Sequence, residues 1–454
     1  MKYDPIAAVF VVAAFCAMSA PPVHAQETPW KAGVARADIT PQEPLWLAGY
    51  AARNHPSEGM LHPLWVKALA LEDASGGRGL LFTSDILGYP KDVADRICSR
   101  IEAQFGLTRA QIILSASHTH SAPVIGASLR CMYTFDDAEE VKLLAYTAWL
   151  EDRIVALAGE ALANLRPAAL SSGNGVARIA VNRRNNNERA LTPTTVVDGP
   201  HDHAVPVLKI TRSDGTVAAV VFGYACHATV LSDYLWCGDY PGFAQIALEE
   251  AHPGATAMFF AGCGADQNAL PRRSVALARQ YGRTLAAAVM RVCDEPMRPL
   301  EAQLATAYQE ITLALTPPPD ADTLRERAAG SGGYAQSCTQ ALLDTLERQG
   351  TLPEAYSWYP VQLWRLGGQT LVTLGGEVVV AYAIQVKERL DDDAFVMGYA
   401  NNLLAYIPSE TVLAEGGYEG KDAQLIYGIP NAWKPGLEAQ ILNAVTALYQ
   451  ESGK

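Results

Sequence analysis

Residues 111–123 read Gln111-Ile-Ile-Leu-Ser-Ala-Ser-His118-Thr-His120-Ser-Ala-Pro123. They follow a second apolar run, Gly79-Leu-Leu-Phe-Thr-Ser-Asp85, and a helical stretch from Lys91 to Phe105. Two apolar runs of strand length around one amphipathic helix predict a βαβ unit. The fold class that follows is α/β, with a mixed β-sheet core flanked by helices. Sheets of this kind place their sites at the carboxyl ends of strands, and here that end carries Ser117-His118-Thr119-His120.

Outward from this unit, strand and helix patterns keep alternating. Ala138 to Asn164 reads as a long helix, and Val205 to Thr211 pairs with Val217 to Ala225 through the hairpin turn Arg212-Ser-Asp-Gly215. Phe243 to Ala251 is helical, Ala255 to Phe260 a strand, and Val275 to Val292 a helix. A Gly-interrupted helical segment, about 317–355, follows Pro317-Pro318-Pro319. Val361 to Leu366 and Thr370 to Leu374 then flank a Gly367-Gly368-Gln369 turn. Val378 to Leu390 reads as a helix, Phe395 to Tyr399 as a strand, and a last helix starts near Pro435. With no repeat or flexible linker, the expectation is one domain over 26–454.

The 454 residues carry a formal charge of −13, which disfavours nucleic acid as a partner, and 49% hydrophobic content, enough for a large core. Residues 1–25, with apolar Ile6 to Ala20 and the small-residue ending Val23-His24-Ala25, read as a signal peptide. The apolar run falls short of the roughly 20 residues a spanning helix needs, and no later run approaches that length. The expected location is secreted or periplasmic. Of eight cysteines, Cys16 falls in the leader, which leaves an odd number and no CxxC. One to three disulfides with at least one free thiol are expected, Cys226 with Cys237 being the first candidate pair.

Two histidines at i and i+2 point to one side of an extended segment, as metal ligands do. Imidazole suits zinc, and a catalytic zinc takes about three protein ligands with one position open. A third histidine, His227, ends the run Val220-Val-Phe-Gly-Tyr-Ala-Cys226 in the same way. His55, His62, His201, His203 and His252 stand in loops or at helix ends and read as surface or supporting residues. Neither HExxH nor GxSxG occurs, which argues against helical zincins and against serine hydrolases.

Several strings taken in order resemble the neutral/alkaline non-lysosomal ceramidases. They are Gly33-Val-Ala-Arg-Ala-Asp-Ile-Thr-Pro41, Ser117 to Ser121, Asn182-Arg183, His227 with Gly238-Asp239, and Gly262-Cys-Gly-Ala-Asp-Gln-Asn268. Gly376-Glu377, Tyr406, Tyr418-Glu-Gly420 and Tyr427-Gly428 continue the series, so the resemblance runs over about 30–430. It implies a zinc amidohydrolase cleaving an N-acyl bond in a small-molecule or lipid-like amide, a ceramide or another N-acyl compound. It further implies His118, His227, Glu377 and Tyr406 as zinc ligands, and His120, Arg183 and Tyr418 as catalytic groups near the substrate carbonyl. Asp266 stands where ceramidases carry a serine near the zinc and is the fourth candidate catalytic residue, and its place beside the metal would make the pocket more polar. No carboxyl-terminal immunoglobulin-like domain is expected.

On the residues alone, Glu377 also reads as a helix N-terminal acid, the two tyrosines as packing groups, and Arg183 as part of a solvated basic loop. Competing readings are an esterase or amidohydrolase with a smaller polar substrate, a TIM-barrel amidohydrolase, and a non-catalytic secreted binding module.

Overall fold

The computed structural model describes residues 30–390 and 393–453; the leader lies outside them. Eight strands form the path of the first sheet: β1 Trp30–Asp38, β2 Trp65–Glu72, β3 Arg78–Ser84, β4 Ile112–Ala116, β5 Arg166–Val176, β6 Ala204–Arg212, β7 Val217–Tyr224 and β8 Thr256–Ala261. Their order is β8-β7-β6-β5-β1-β2-β3-β4, and β9 (Arg298–Leu300) pairs with β5. Only the outermost pairs are parallel, β3 with β4 and β7 with β8. Each is bridged by a helix, α1 (Lys91–Phe105) and α3 (Asp239–Ala251), so the sheet has a βαβ unit at either edge. The sheet curls until these edges touch, β8 against β4, which brings together the loops leaving β4 and β7.

A second sheet is built from β10 (Leu304–Ala314), β11 (Ala355–Leu366), β12 (Gln369–Leu374) and β14 (Phe395–Met397), in that order. Glu377–Val378 (β13) and Tyr406–Ile407 (β15) form a separate short parallel pair. Side-chain alternation sets four layers. In β2, Ala68 and Ala70 face the core under α1 and α2 (Asp137–Ala163), whereas Leu69 and Leu71 face the second sheet. In β11, Trp364 and Leu366 meet the first sheet, while Val361 and Leu363 pack under Tyr382 and Ile441. Those two residues belong to helices Ala381–Leu390 and Leu437–Ser452. The order is therefore helix, sheet, sheet, helix. Strands buried on both faces read as unbroken apolar runs, which is why Leu80-Leu-Phe82 was visible as a strand.

The edge strand β4 is sealed by Asn401: Leu114 N–H donates to its side-chain oxygen, and its own N–H donates to Leu114 O. The segment about 317–355 contains two helices, Ala321–Gly330 and Gly333–Gln349. No helix among the described residues is long and apolar enough to cross a membrane.

One cysteine expectation is overturned. The disulfide joins Cys131 to Cys338, 207 positions apart, and Cys226 and Cys237 are buried free thiols. The Cys237 Sγ instead lies 3.2 Å from His62 Nε2. His62 is itself buried, so it is not a surface residue.

Candidate metal centre

After β4 the chain does not stay extended. Ser117 N–H still donates to Ser84 O, but His118 takes a left-handed conformation, φ 57°. The convergence of His118 and His120 therefore comes from a kink and not from strand alternation, which corrects the expectation of an extended HxH. Their Nε2 atoms lie 3.2 Å apart. The kinked loop is held by Thr119 Oγ1 donating to Cys237 O, and by the buried Arg53 guanidinium donating to His120 O at 2.6 Å.

From the other βαβ unit, His227 follows β7 and bridges to Asn268. Its N–H donates to Gln267 O. Across the centre, β13 and β15 place Glu377 directly opposite Tyr406. Glu377 is thus a strand residue ahead of the helix, and the helix N-terminal reading of this acid does not hold. Its Oε2 lies 3.0 Å from His227 Nε2 and 3.3 Å from His118 Nε2. Tyr427, a residue the motif reading quoted without giving it a role, donates its hydroxyl to the other carboxylate oxygen.

The chemistry of this donor set decides what it can hold. His118 Nδ1 donates to Leu87 O at 2.7 Å and His227 Nδ1 to Gly264 O at 2.8 Å. A carbonyl only accepts, so each Nδ1 carries a proton, and the Nε2 of each ring, a lone pair whenever the ring is neutral, faces the Glu377 carboxylate. Lone pairs facing a carboxylate repel one another unless a cation lies among them. The nitrogens of His118, His120 and His227 all lie within 4.8 Å of one another, and this buried group could hold a metal ion.

His120 differs from the other two. Its Nδ1 has no partner, and it lines the cavity in front of the centre. Burial, with His118 and His227 beside it, holds its imidazole well below the ordinary value, so it is neutral at physiological pH. Burial and Arg183 likewise bring His227 down to about 4.

The cavity in front of the histidines has a volume of about 530 Å³. Arg183 donates Nη2 to Tyr406 Oη at 3.2 Å and Nε to Glu419 at 2.7 Å. Arg184 donates to the other oxygen of Glu419 at 2.9 Å. Tyr406 Oη is 3.5 Å from His227 Nε2, and burial and Glu377 push its hydroxyl up, with Arg183 opposing. Tyr418 stacks edge-on against Tyr406 with 46% of its surface exposed, at the cavity mouth.

Of the eight residues the sequence reading singled out, the structure gathers His118, His120, His227, Glu377, Tyr406, Arg183 and Tyr418. Asp266 is not brought into the cavity wall. Its carboxylate accepts from Val380 N–H and Asn182 Nδ2, and its backbone oxygen accepts from Arg183 N–H. It braces the loop bearing Arg183 and does not face the opening. Glu419, inside a quoted motif but given no role, is the counter-ion of two cavity arginines. Tyr399, whose ring packs tilted by 32° against the His118 ring with centroids 4.2 Å apart, carried no sequence signal beyond its strand-end position.

A family model described as neutral/alkaline non-lysosomal ceramidase, N-terminal, matches residues 30–268. The chain belongs to the neutral/alkaline non-lysosomal ceramidase family. The match covers His118, His120 and His227 and stops before Glu377 and Tyr406. A neutral ceramidase of Pseudomonas aeruginosa is 27% identical over 237 residues, 50% of this chain but only 35% of that relative's length. Its crystal structure superposes with a TM-score of 0.72 at 20% identity, covering 93% of this chain and 74% of that one. A ceramidase complexed with C2 matches with the same score at 19% identity, covering 76% of its chain. At these identities the structural likenesses establish a shared ceramidase fold.

Proposed function

We propose that this ceramidase-family chain is a zinc-dependent hydrolase of an N-acyl bond. The observation that carries the reading is the pair of backbone-anchored imidazoles, His118 and His227, aimed at one carboxylate at the base of an open cavity. His118, His227, Glu377 and Tyr406 would hold the ion. Bound zinc supplies a Lewis acid for the scissile carbonyl and a water whose pKa falls toward about 7.

The chain's own groups do the rest. His120, neutral and with a free Nδ1, takes a proton at one ring nitrogen and returns it to the departing amine. Arg183 and Tyr418 donate hydrogen bonds where negative charge develops on the acyl oxygen. The acyl carbon–nitrogen bond breaks, hydroxyl joins the acyl carbon, and the amine leaves with the proton. Asp266 positions Arg183 and does not meet the substrate. Ceramide, the substrate class in the relatives' names, is the first compound to test. The Cys131–Cys338 bridge supports an oxidising, secreted or periplasmic location.

The test is metal analysis of the purified chain with hydrolysis assays on ceramide and short N-acyl amines. His118→Ala is expected to lose both bound zinc and hydrolysis. Full activity in that variant, or in the chelated protein, would sink the reading.

A further inference from the structure

His120 lacks the anchor that the other two histidines have. His118 and His227 each donate Nδ1 to a backbone carbonyl, whereas His120 Nδ1 has no partner. The placing of its ring is left to its backbone and to the Tyr50 ring, whose centroid lies 4.7 Å away. A misplacement of about 1 Å costs a catalytic group about a hundredfold, so the fixing of this backbone matters.

Arg53 supplies it from a buried position, 5% exposed. Its Nη1 donates to Ala48 O and to His120 O, both at 2.6 Å, and its Nη2 to Asp233 O at 3.0 Å. The three carbonyls belong to three loops, those following β1, β4 and β7. Each loop supplies cavity wall: Gly49 and Tyr50 from the first, His120 from the second, Thr229 from the third. The guanidinium also lies over the Tyr50 ring, 4.9 Å from its centroid, so it supports the His120 backbone and the aromatic face beside it at once.

No carboxylate among the described residues pairs with Arg53, and its Nε has no partner, whereas Arg183, Arg184 and Arg272 each hold one. A guanidinium keeps its proton, so this is a buried charge held by carbonyl oxygens and tyrosine faces alone. Burying an ion without a counter-ion is costly. A side-chain amide would avoid that cost, but it offers two N–H donors, fewer than the bonds made here, and lacks the rigid fork that spans three loops.

Resting on the hydrolase reading above, we propose that Arg53 is the positioning residue for proton delivery to the departing amine. The proton leaves the attacking water, rests on the His120 ring, and ends on the amine nitrogen as the acyl carbon–nitrogen bond breaks. Arg53 touches none of these atoms. Through the His120 carbonyl it sets where the ring stands during both transfers.

An amine does not leave without that proton, whereas a nitrophenolate does. Loss of Arg53 therefore separates two substrates that share an acyl group, N-octanoylsphingosine and para-nitrophenyl octanoate. Arg53→Gln is expected to lower kcat on the amide by about a hundredfold and on the ester by no more than about tenfold, with KM and zinc content kept. Arg53→Lys, which restores the charge and three donors, should recover part of the amide rate, and it carries the same comparison if Arg53→Gln does not fold.

Equal loss on both substrates, or loss of zinc together with activity, assigns Arg53 a structural role and overturns the proposal. An amide rate that the substitution leaves unchanged overturns it too. Neither result touches the hydrolase reading, which fails, and this proposal with it, if the zinc-loaded native chain cleaves neither compound and no short N-acyl amine. A native chain that cleaves only the ester removes the amine-protonation step and overturns the role given to Arg53.

Discussion

Glu377 and Tyr406 face each other as register partners across two-residue parallel strands, so one backbone pairing delivers a carboxylate and a phenol to the same side of His227. If both reach the metal, they differ in weight. Glu377→Gln, which removes the charge the two imidazoles face, is expected to lower metal affinity by about a hundredfold or more. Tyr406→Phe should cost about tenfold. Metal content after dialysis, measured beside hydrolysis, checks both. Full loading in the two variants would remove them from the ligand set.

Gly49 has φ 94°, and a Cβ there would collide with the His120 ring. Its N–H is fixed by the Tyr133 hydroxyl, so the backbone cannot retreat. Gly49→Ala is expected to lower kcat by about a hundredfold through displacement of His120, with metal still bound at His118 and His227. Unchanged kcat would show that the position of His120 is not critical.

Glu419 gives a signed pH dependence. Burial alone would raise its carboxyl, but Arg183 and Arg184 hold it below the ordinary 4.5. A carboxyl depressed in the folded state contributes stability that is complete above its unfolded value and is lost as pH falls through its folded value. Glu419→Gln should therefore be less stable near neutral pH, by about 3 kcal/mol for a broken buried pair. The gap should close as the pH drops below about 4. Thermal melts of both proteins across that range measure it, and a gap that persists in acid would contradict the pairing.

The Cys131–Cys338 bridge ties helix Gly333–Gln349 to the loop before α2. Cys338→Ser is expected to cost about 2 to 5 kcal/mol. Reductant should lower the melting temperature of the native chain and leave that of the variant unmoved. Equal sensitivity in both would place the effect elsewhere.

What the sequence made legible were the elements buried on both faces and the turn-flanked hairpins: β3, α1, β4, and β6 with β7. Four long strands escaped notice, β1, β2, β5 and β10. In β2 a lysine interrupts the apolar run, and only the fold shows Lys67 held by Gln245, Glu249 and Ala257 O. In β5 the string Ser171-Ser-Gly-Asn-Gly175 has turn composition. Yet Gly173 and Gly175 are needed because Val292 of helix Val275–Asp294 presses against the strand, where a Cβ at Gly173 would lie 2.8 Å from it.

The site divides in the same way. His118, His120 and His227 could be read from strand-end context, because the chemistry is local to each string. Glu377 and Tyr406 had no such local signal, since their meaning arises from a pairing between two-residue strands. Cys131 and Cys338 are 207 positions apart, a partnership no spacing rule reveals.

The curled first sheet and the short β13–β15 pair impose an order in time on this chain. His227 and Glu377 are 150 positions apart, and the carboxylate comes after three of the four strands of the second sheet in chain order. Contacts of such long range form late, because loop closure precedes their reward. A nascent or truncated chain ending before residue 377 would own its three histidines but lack the anion they face. If the centre takes up a metal as proposed, tight binding would report that this late, long-range contact has formed.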